Sequence, residues 1–188
     1  TENIIHLIAK SQKDSLVDRI KDMLTKIEGA YCLAIQSRSK MFVIRDRFGI
    51  RPLSLGKLKD GGYIVASETC AFELVGAEFI RDVEPGEMLI FEEGKEPQSE
   101  MVFDQDYHPC AFEYIYFARP DSIIDGKNVY QMRLEMGRKL AEETPAEVDL
   151  VLPVPDSGVA AARGYADGLG VPFEMGIVRN HYVGRTFI

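Results

Sequence analysis

The segment Val148-Asp-Leu-Val-Leu-Pro-Val-Pro-Asp-Ser-Gly-Val-Ala-Ala-Ala-Arg163 decides the reading of this 188-residue chain. Val148 to Leu152 reads as a buried strand, two prolines tighten the loop after it, and Asp156-Ser157-Gly158 opens a helix running to Ala166. In an open α/β sheet, ligands bind beyond the carboxyl ends of the strands. The unpaired N–H groups of a helix start, together with the positive end of the helix dipole, suit phosphate or diphosphate there. Small residues at Gly158 and Ala160 to Ala162 let such a helix lie close to the sheet. The same residues also suit a plain N-cap, the commonest role of Asp and Ser at this place. The segment has neither the G-x-x-x-x-G-K-S/T of a P-loop nor the G-x-G-x-x-G of a dinucleotide fold.

Around it, Asn128 to Glu143 reads as a helix and Phe173 to Val178 as a further strand. Helix, strand, helix, strand is the order of a parallel α/β sheet. Arg179-Asn-His-Tyr-Val-Gly-Arg185 follows that last strand directly, so its basic groups are expected at the same sheet edge as the Asp-Ser-Gly loop. Arginine holds phosphate oxygens through a planar fork of donors. A solvated polar turn is the plainer reading of this stretch.

The first half is strand-rich. Asp14 to Ile27 is an amphipathic helix with Ser11 or Asp14 as its cap, after an apolar helical opening at Ile4, Ile5, Leu7 and Ile8. Tyr31 to Ile35 and Met41 to Ile44 predict a hairpin, and Tyr63 to Ala66 and Glu87 to Phe91 predict further strands. A short helix is expected around Cys70 to Val75. Glu92 to Gln98 is polar and holds Gly94 and Pro97, which puts a domain boundary there, dividing residues 1–98 from 99–188.

Bulk properties narrow the function classes. A net charge of −8 argues against broad binding of nucleic acid. Cys32, Cys70 and Cys110 are too widely spaced for a disulfide framework or a chelating pair, as in a reduced cytoplasmic protein. No apolar run approaches the ~20 residues of a membrane span, and no basic leader precedes one. The chain begins with Thr1 and stops after a loop signal at Phe187-Ile188, which reads as part of a longer protein.

Several blocks then make the reading specific. Cys110-Ala-Phe-Glu-Tyr-Ile-Tyr-Phe-Ala-Arg-Pro-Asp-Ser122, Pro153-Val-Pro-Asp-Ser157 and Tyr182-Val-Gly-Arg-Thr-Phe-Ile188 resemble, in order and spacing, the amidophosphoribosyltransferase family. Gly29-Ala-Tyr31, Phe48-Gly-Ile-Arg-Pro-Leu53, Ala66-Ser-Glu-Thr-Cys-Ala71 and Val83-Glu-Pro-Gly-Glu87 resemble its glutaminase domain. The resemblance implies α+β and α/β parts. One is the C-terminal part of an N-terminal-nucleophile glutaminase, an α-β-β-α sandwich. The other is the start of a type I phosphoribosyltransferase fold.

It implies the first committed step of purine synthesis: glutamine and phosphoribosyl pyrophosphate give 5-phosphoribosylamine, glutamate and pyrophosphate. That makes the intact enzyme a glycosyltransferase. By resemblance, Pro155, Asp156, Ser157 and Gly158 hold the pyrophosphate, and Arg179, Tyr182 and Arg185 belong to the loop that closes over the substrate. Ser157 matches a contact to Mg2+, and Tyr116 matches the region between the two active sites. Cys110 matches a ligand of a 4Fe-4S iron–sulfur cluster in one branch of the family, whereas the cluster-free branch also carries cysteine there. His181 stands where relatives carry Arg. Thr1 is not the nucleophile, because it falls inside an Asp-Thr-Glu stretch that is ordinary chain. The family's N-terminal cysteine and its Asp-Asp ribose-binding segment are expected outside these residues, so the chain alone is expected to be inactive. Purine nucleotide inhibitors and a homo-oligomer are the implied partners. The alternatives are another glutamine amidotransferase, against which the Pro-Asp-Ser-Gly and Tyr-Val-Gly-Arg-Thr blocks argue, and a non-catalytic module.

Overall fold

The two apolar runs after Gly29 pair as the expected hairpin, and the Ser37 side chain helps to close its turn. Ser37 Oγ accepts from Lys40 N at 3.0 Å, while Ser37 N donates to Lys40 O at 2.8 Å. In the computed structural model, which describes residues 2–184, these strands are β1 (Cys32–Gln36) and β2 (Lys40–Arg45). They join β6 (Glu87–Glu92) and β7 (Gln98–Met101) in an antiparallel sheet of order β1-β2-β6-β7. Register is set by pairs such as Ala34↔Val43 and Val43↔Leu89.

Helices α1 (Glu2–Lys10) and α2 (Leu16–Leu24) lie on one face of this sheet. Their Ile8, Ile20, Met23 and Leu24 pack with Phe42, Ile44, Met88 and Ile90. Val43 and Leu89, which alternate with those strand residues, are buried as well. Both faces of the central strands are therefore dry, which is why they read as unbroken apolar runs. The α2 cap is Ser15, whose side chain accepts from Asp18 N, rather than Ser11 or Asp14. The helix starts two residues later than expected because this hydroxyl takes the orphan N–H.

The chain forms two compact units, residues up to 55 with 81–109, and residues 56–80 with 110 onward. In the second lies most of a sheet of order β4-β3-β5, formed by β3 (Ser54–Leu58), β4 (Tyr63–Ala66) and β5 (Ala77–Asp82), with α3 (Cys70–Val75) between β4 and β5. A Cβ at Gly56 would stand 2.9 Å from Glu78 O, so only glycine lets β3 run this close to β5. A π-helical turn, Glu113–Phe117, leads to the short pair β8 (Ile123–Ile124) and β9 (Lys127–Asn128). Asp125 and Gly126 make its turn at φ 49 and 72.

Asn128 caps α4 (Val129–Glu143) by accepting from Gln131 N, and α5 (Val159–Leu169) packs against α4. The contact is backbone to backbone: a Cβ on Gly137 would collide with Ala161 O, and one on Gly164 with Leu134 O. No described helix is long and apolar enough to cross a membrane.

Two expected strands shrink. Val148 to Leu152 and Phe173 to Val178 contribute one parallel bridge, Val151↔Phe173, and no ladder. A parallel strand needs a partner along its whole hydrogen-bonding edge. Among the described residues, only Val151 N→Pro172 O and Glu174 N→Val151 O join these two runs.

Candidate functional site

That bridge fixes where two loops emerge. After Val151 the chain passes buried Pro153 and turns through 155–158 into α5. The turn closes by Gly158 N→Val154 O at 3.2 Å and Val159 N→Asp156 O at 3.4 Å. A Cβ on Gly158 would sit 2.7 Å from Val154 O, so this position requires glycine for close approach. The Pro155-Asp156 peptide is cis. Gly158 is the α5 N-cap and has no side-chain cap. Asp156 and Ser157 therefore do not cap the helix, and both are exposed beside its start.

The Asp156 carboxylate turns instead to the second loop. Arg179 Nη1 lies 3.2 Å from Asp156 Oδ2, and Arg179 Nη2 lies 3.3 Å from His181 Nδ1. Asn180 Oδ1 accepts from Tyr182 N at 2.9 Å, an Asx turn that bends the chain after Arg179. Tyr182 is fully exposed. The two segments singled out in the sequence thus meet at one edge through Asp156 and Arg179. Arg185 and Thr1 lie outside the described residues.

Tyr116 lies on the π-helical turn, half exposed, with ring centroids 6.1 Å from Phe112 and 5.9 Å from Phe117. Three side chains hold this segment. Arg133, buried on α4, donates to Tyr114 O at 2.6 Å and to Ala118 O at 2.8 Å, and burial pulls its guanidinium below the usual value. Glu68 Oε2 accepts from Arg119 N at 2.8 Å and from Ser122 Oγ at 2.7 Å, while Thr69 Oγ1 accepts from Ile123 N. The signal for Arg133 was its place on the apolar face of α4, between Val129 and Gly137. A lone arginine at a core position needs carbonyls to receive it.

Cys110, Cys32 and Cys70 are each partly buried, and none forms a disulfide. Among the described residues no three His, Cys, Asp or Glu side chains gather in a way that would hold a metal ion. A lone thiolate does not fit an iron–sulfur cluster. Ser157 and Asp156 do offer hard oxygen donors of the kind Mg2+ takes, but only as part of a site shared with ligand oxygens.

Comparison with known proteins gives first a class. Residues 1–73 match the family described as a glutamine amidotransferase domain. Across all its residues the chain is 50% identical to amidophosphoribosyltransferase of Rhizobium etli, 48% to that of Bacillus subtilis and 45% to the chloroplastic enzyme of Glycine max. It covers 39%, 39% and 33% of those three sequences. The solved glutamine phosphoribosylpyrophosphate amidotransferase of B. subtilis, in complex with ADP and GMP, superposes with a TM-score of 0.94 at 49% identity, over all of this chain and 41% of that one. Over its whole length the chain is similar to amidophosphoribosyltransferases, and its fold is mixed α and β like that of its structural neighbours. It spans about two-fifths of the length of the bacterial relatives.

Proposed function

We propose that this chain supplies part of a cytoplasmic amidophosphoribosyltransferase, with residues 1–98 contributing to the glutaminase sandwich and 99–188 to the phosphoribosyltransferase fold. The longer protein takes the amide nitrogen of glutamine and places it on C1 of phosphoribosyl pyrophosphate, releasing pyrophosphate. The observation that carries the reading is the 3.2 Å approach of Arg179 to Asp156, which brings two separately recognised loops to one edge.

On this reading, the N–H groups at the start of α5 and the Ser157 hydroxyl face the pyrophosphate, and Pro155 and Gly158 shape the bend that aims them. Fixed donors directed at developing charge stabilise the leaving group without reorganising. Arg179, Tyr182 and Arg185 close over the substrate and exclude water, which protects the reactive centre. Mg2+, held by Ser157 together with the diphosphate, would neutralise the leaving charge when bound. Tyr116 and its neighbouring rings form an apolar surface fit to face the path between the two reactions. Binding of purine nucleotides and homo-oligomeric assembly are part of the same proposal. They rest on the similarity to amidophosphoribosyltransferases and on the nucleotides present in the B. subtilis relative's complex.

In the longer protein, Ser157→Ala or Arg185→Ala should lower kcat/KM for phosphoribosyl pyrophosphate by about tenfold or more. Most glutamine hydrolysis should remain. Unchanged steady-state kinetics with the phosphoribosyl substrate would remove these residues from the site.

A further inference from the structure

The contact between Asp156 and Arg179 bears on how readily the edge takes its ligand. Both side chains are more than half exposed. The other amino group of Arg179 lies 3.3 Å from His181 Nδ1. The guanidinium therefore has a carboxylate on one side and an imidazole nitrogen on the other.

An ionised carboxylate offers arginine the same kind of oxygen pair that a phosphate does. It has no proton to give to a phosphate oxygen, and it repels one. At an anion-binding edge, Asp156 thus has the wrong sign to touch a bare anion and the right sign to hold Arg179 before the anion comes. We propose that Asp156 is a built-in competitor for Arg179, which the anionic ligand must displace. The inference rests on the reading of this edge as a phosphate site.

Competition of this kind sets an affinity threshold, because every ligand that takes Arg179 loses the same free energy in displacing Asp156. Orthophosphate gains little beyond Arg179, so displacing Asp156 removes most of its advantage. A diphosphate also reaches the amides at the α5 start and tolerates the same loss. The pair is exposed and hence weak, which keeps the threshold to a few-fold and lets the pair open readily.

The test is calorimetric titration of the 188-residue chain in EDTA with inorganic phosphate and, separately, inorganic diphosphate. Asp156→Asn should tighten phosphate and diphosphate by a similar factor, about threefold or more. Adding Arg179→Gln to Asp156→Asn should abolish the gain. Measurable binding that Asp156→Asn leaves unchanged or weakens would overturn the inference while leaving the phosphate edge standing. A gain that survives Arg179→Gln would mean general relief of negative charge, and would overturn the competition for Arg179. Absence of binding in every variant would overturn both the inference and the phosphate reading beneath it.

Discussion

Glu87 carries an isolated carboxylate into a nearly dry position, and its partners decide whether that is tolerable. Arg81 forks onto it at 2.8 and 2.6 Å, Ser99 Oγ donates at 2.6 Å and Glu84 N at 2.7 Å. Burial alone would push its pKa up, but the Arg81, Ser99 and Glu84 hydrogen bonds outweigh this and hold it below the ordinary 4.5. The sign for stability follows. A depressed folded pKa contributes stability above the unfolded value and loses it as pH falls through the folded value. Glu87→Gln should cost about 2 kcal/mol at neutral pH, measured by urea denaturation. The gap to wild type should stay flat above the ordinary carboxylate value and narrow below it; a gap independent of pH would contradict the account. Tyr31 shows the opposite direction: burial, with Asp46 adding, pushes its phenol up to about 12.

At the scale of elements, the α4–α5 pair is set by absent side chains. Gly137, Gly164 and Gly168 let the two backbones touch, and a Cβ on Gly168 would lie 2.7 Å from Ala141 Cβ. Gly164→Ala would favour an isolated helix by roughly 1 kcal/mol. In the folded chain it should instead destabilise by about 2–3 kcal/mol, because the obstacle is the Leu134 carbonyl and backbone cannot move aside cheaply. A raised thermal midpoint for this variant would refute the close contact. These helices were legible because α4 keeps its apolar face in period and both have clear ends. Strands β3, β5 and β7 were not, since Ser54–Leu58, Ala77–Asp82 and Gln98–Met101 mix charge, glycine and apolar residues without clean alternation. Their pairing is settled by neighbours distant in sequence, which single-segment patterns do not register. The π-helical turn at 113–117 also escaped, because its aromatic residues at 112, 114, 116 and 117 follow no single period.

For the whole molecule, the division of labour was easier to read than the shape. The blocks around Pro153 to Ser157 and Tyr182 to Ile188 named the chemistry, whereas residues 56–80 clustering with residues from 110 onward had no local signature. Spacing placed the Asp-Ser-Gly bend and Arg179 at one edge, but by itself it favoured the N-cap reading of Asp156 over the anion reading. The fold decides between cap and no cap: the helix starts at an uncapped Gly158 and the carboxylate reaches Arg179. The account as a whole therefore turns on one edge receiving phosphate oxygens. The most direct measurement is a 1H–15N NMR titration of the chain with inorganic diphosphate. Saturating shifts should appear at the amides of Ser157, Gly158 and Val159 and at the Arg179 side chain. Shifts confined to other residues, or none at these four at millimolar diphosphate, would contradict it.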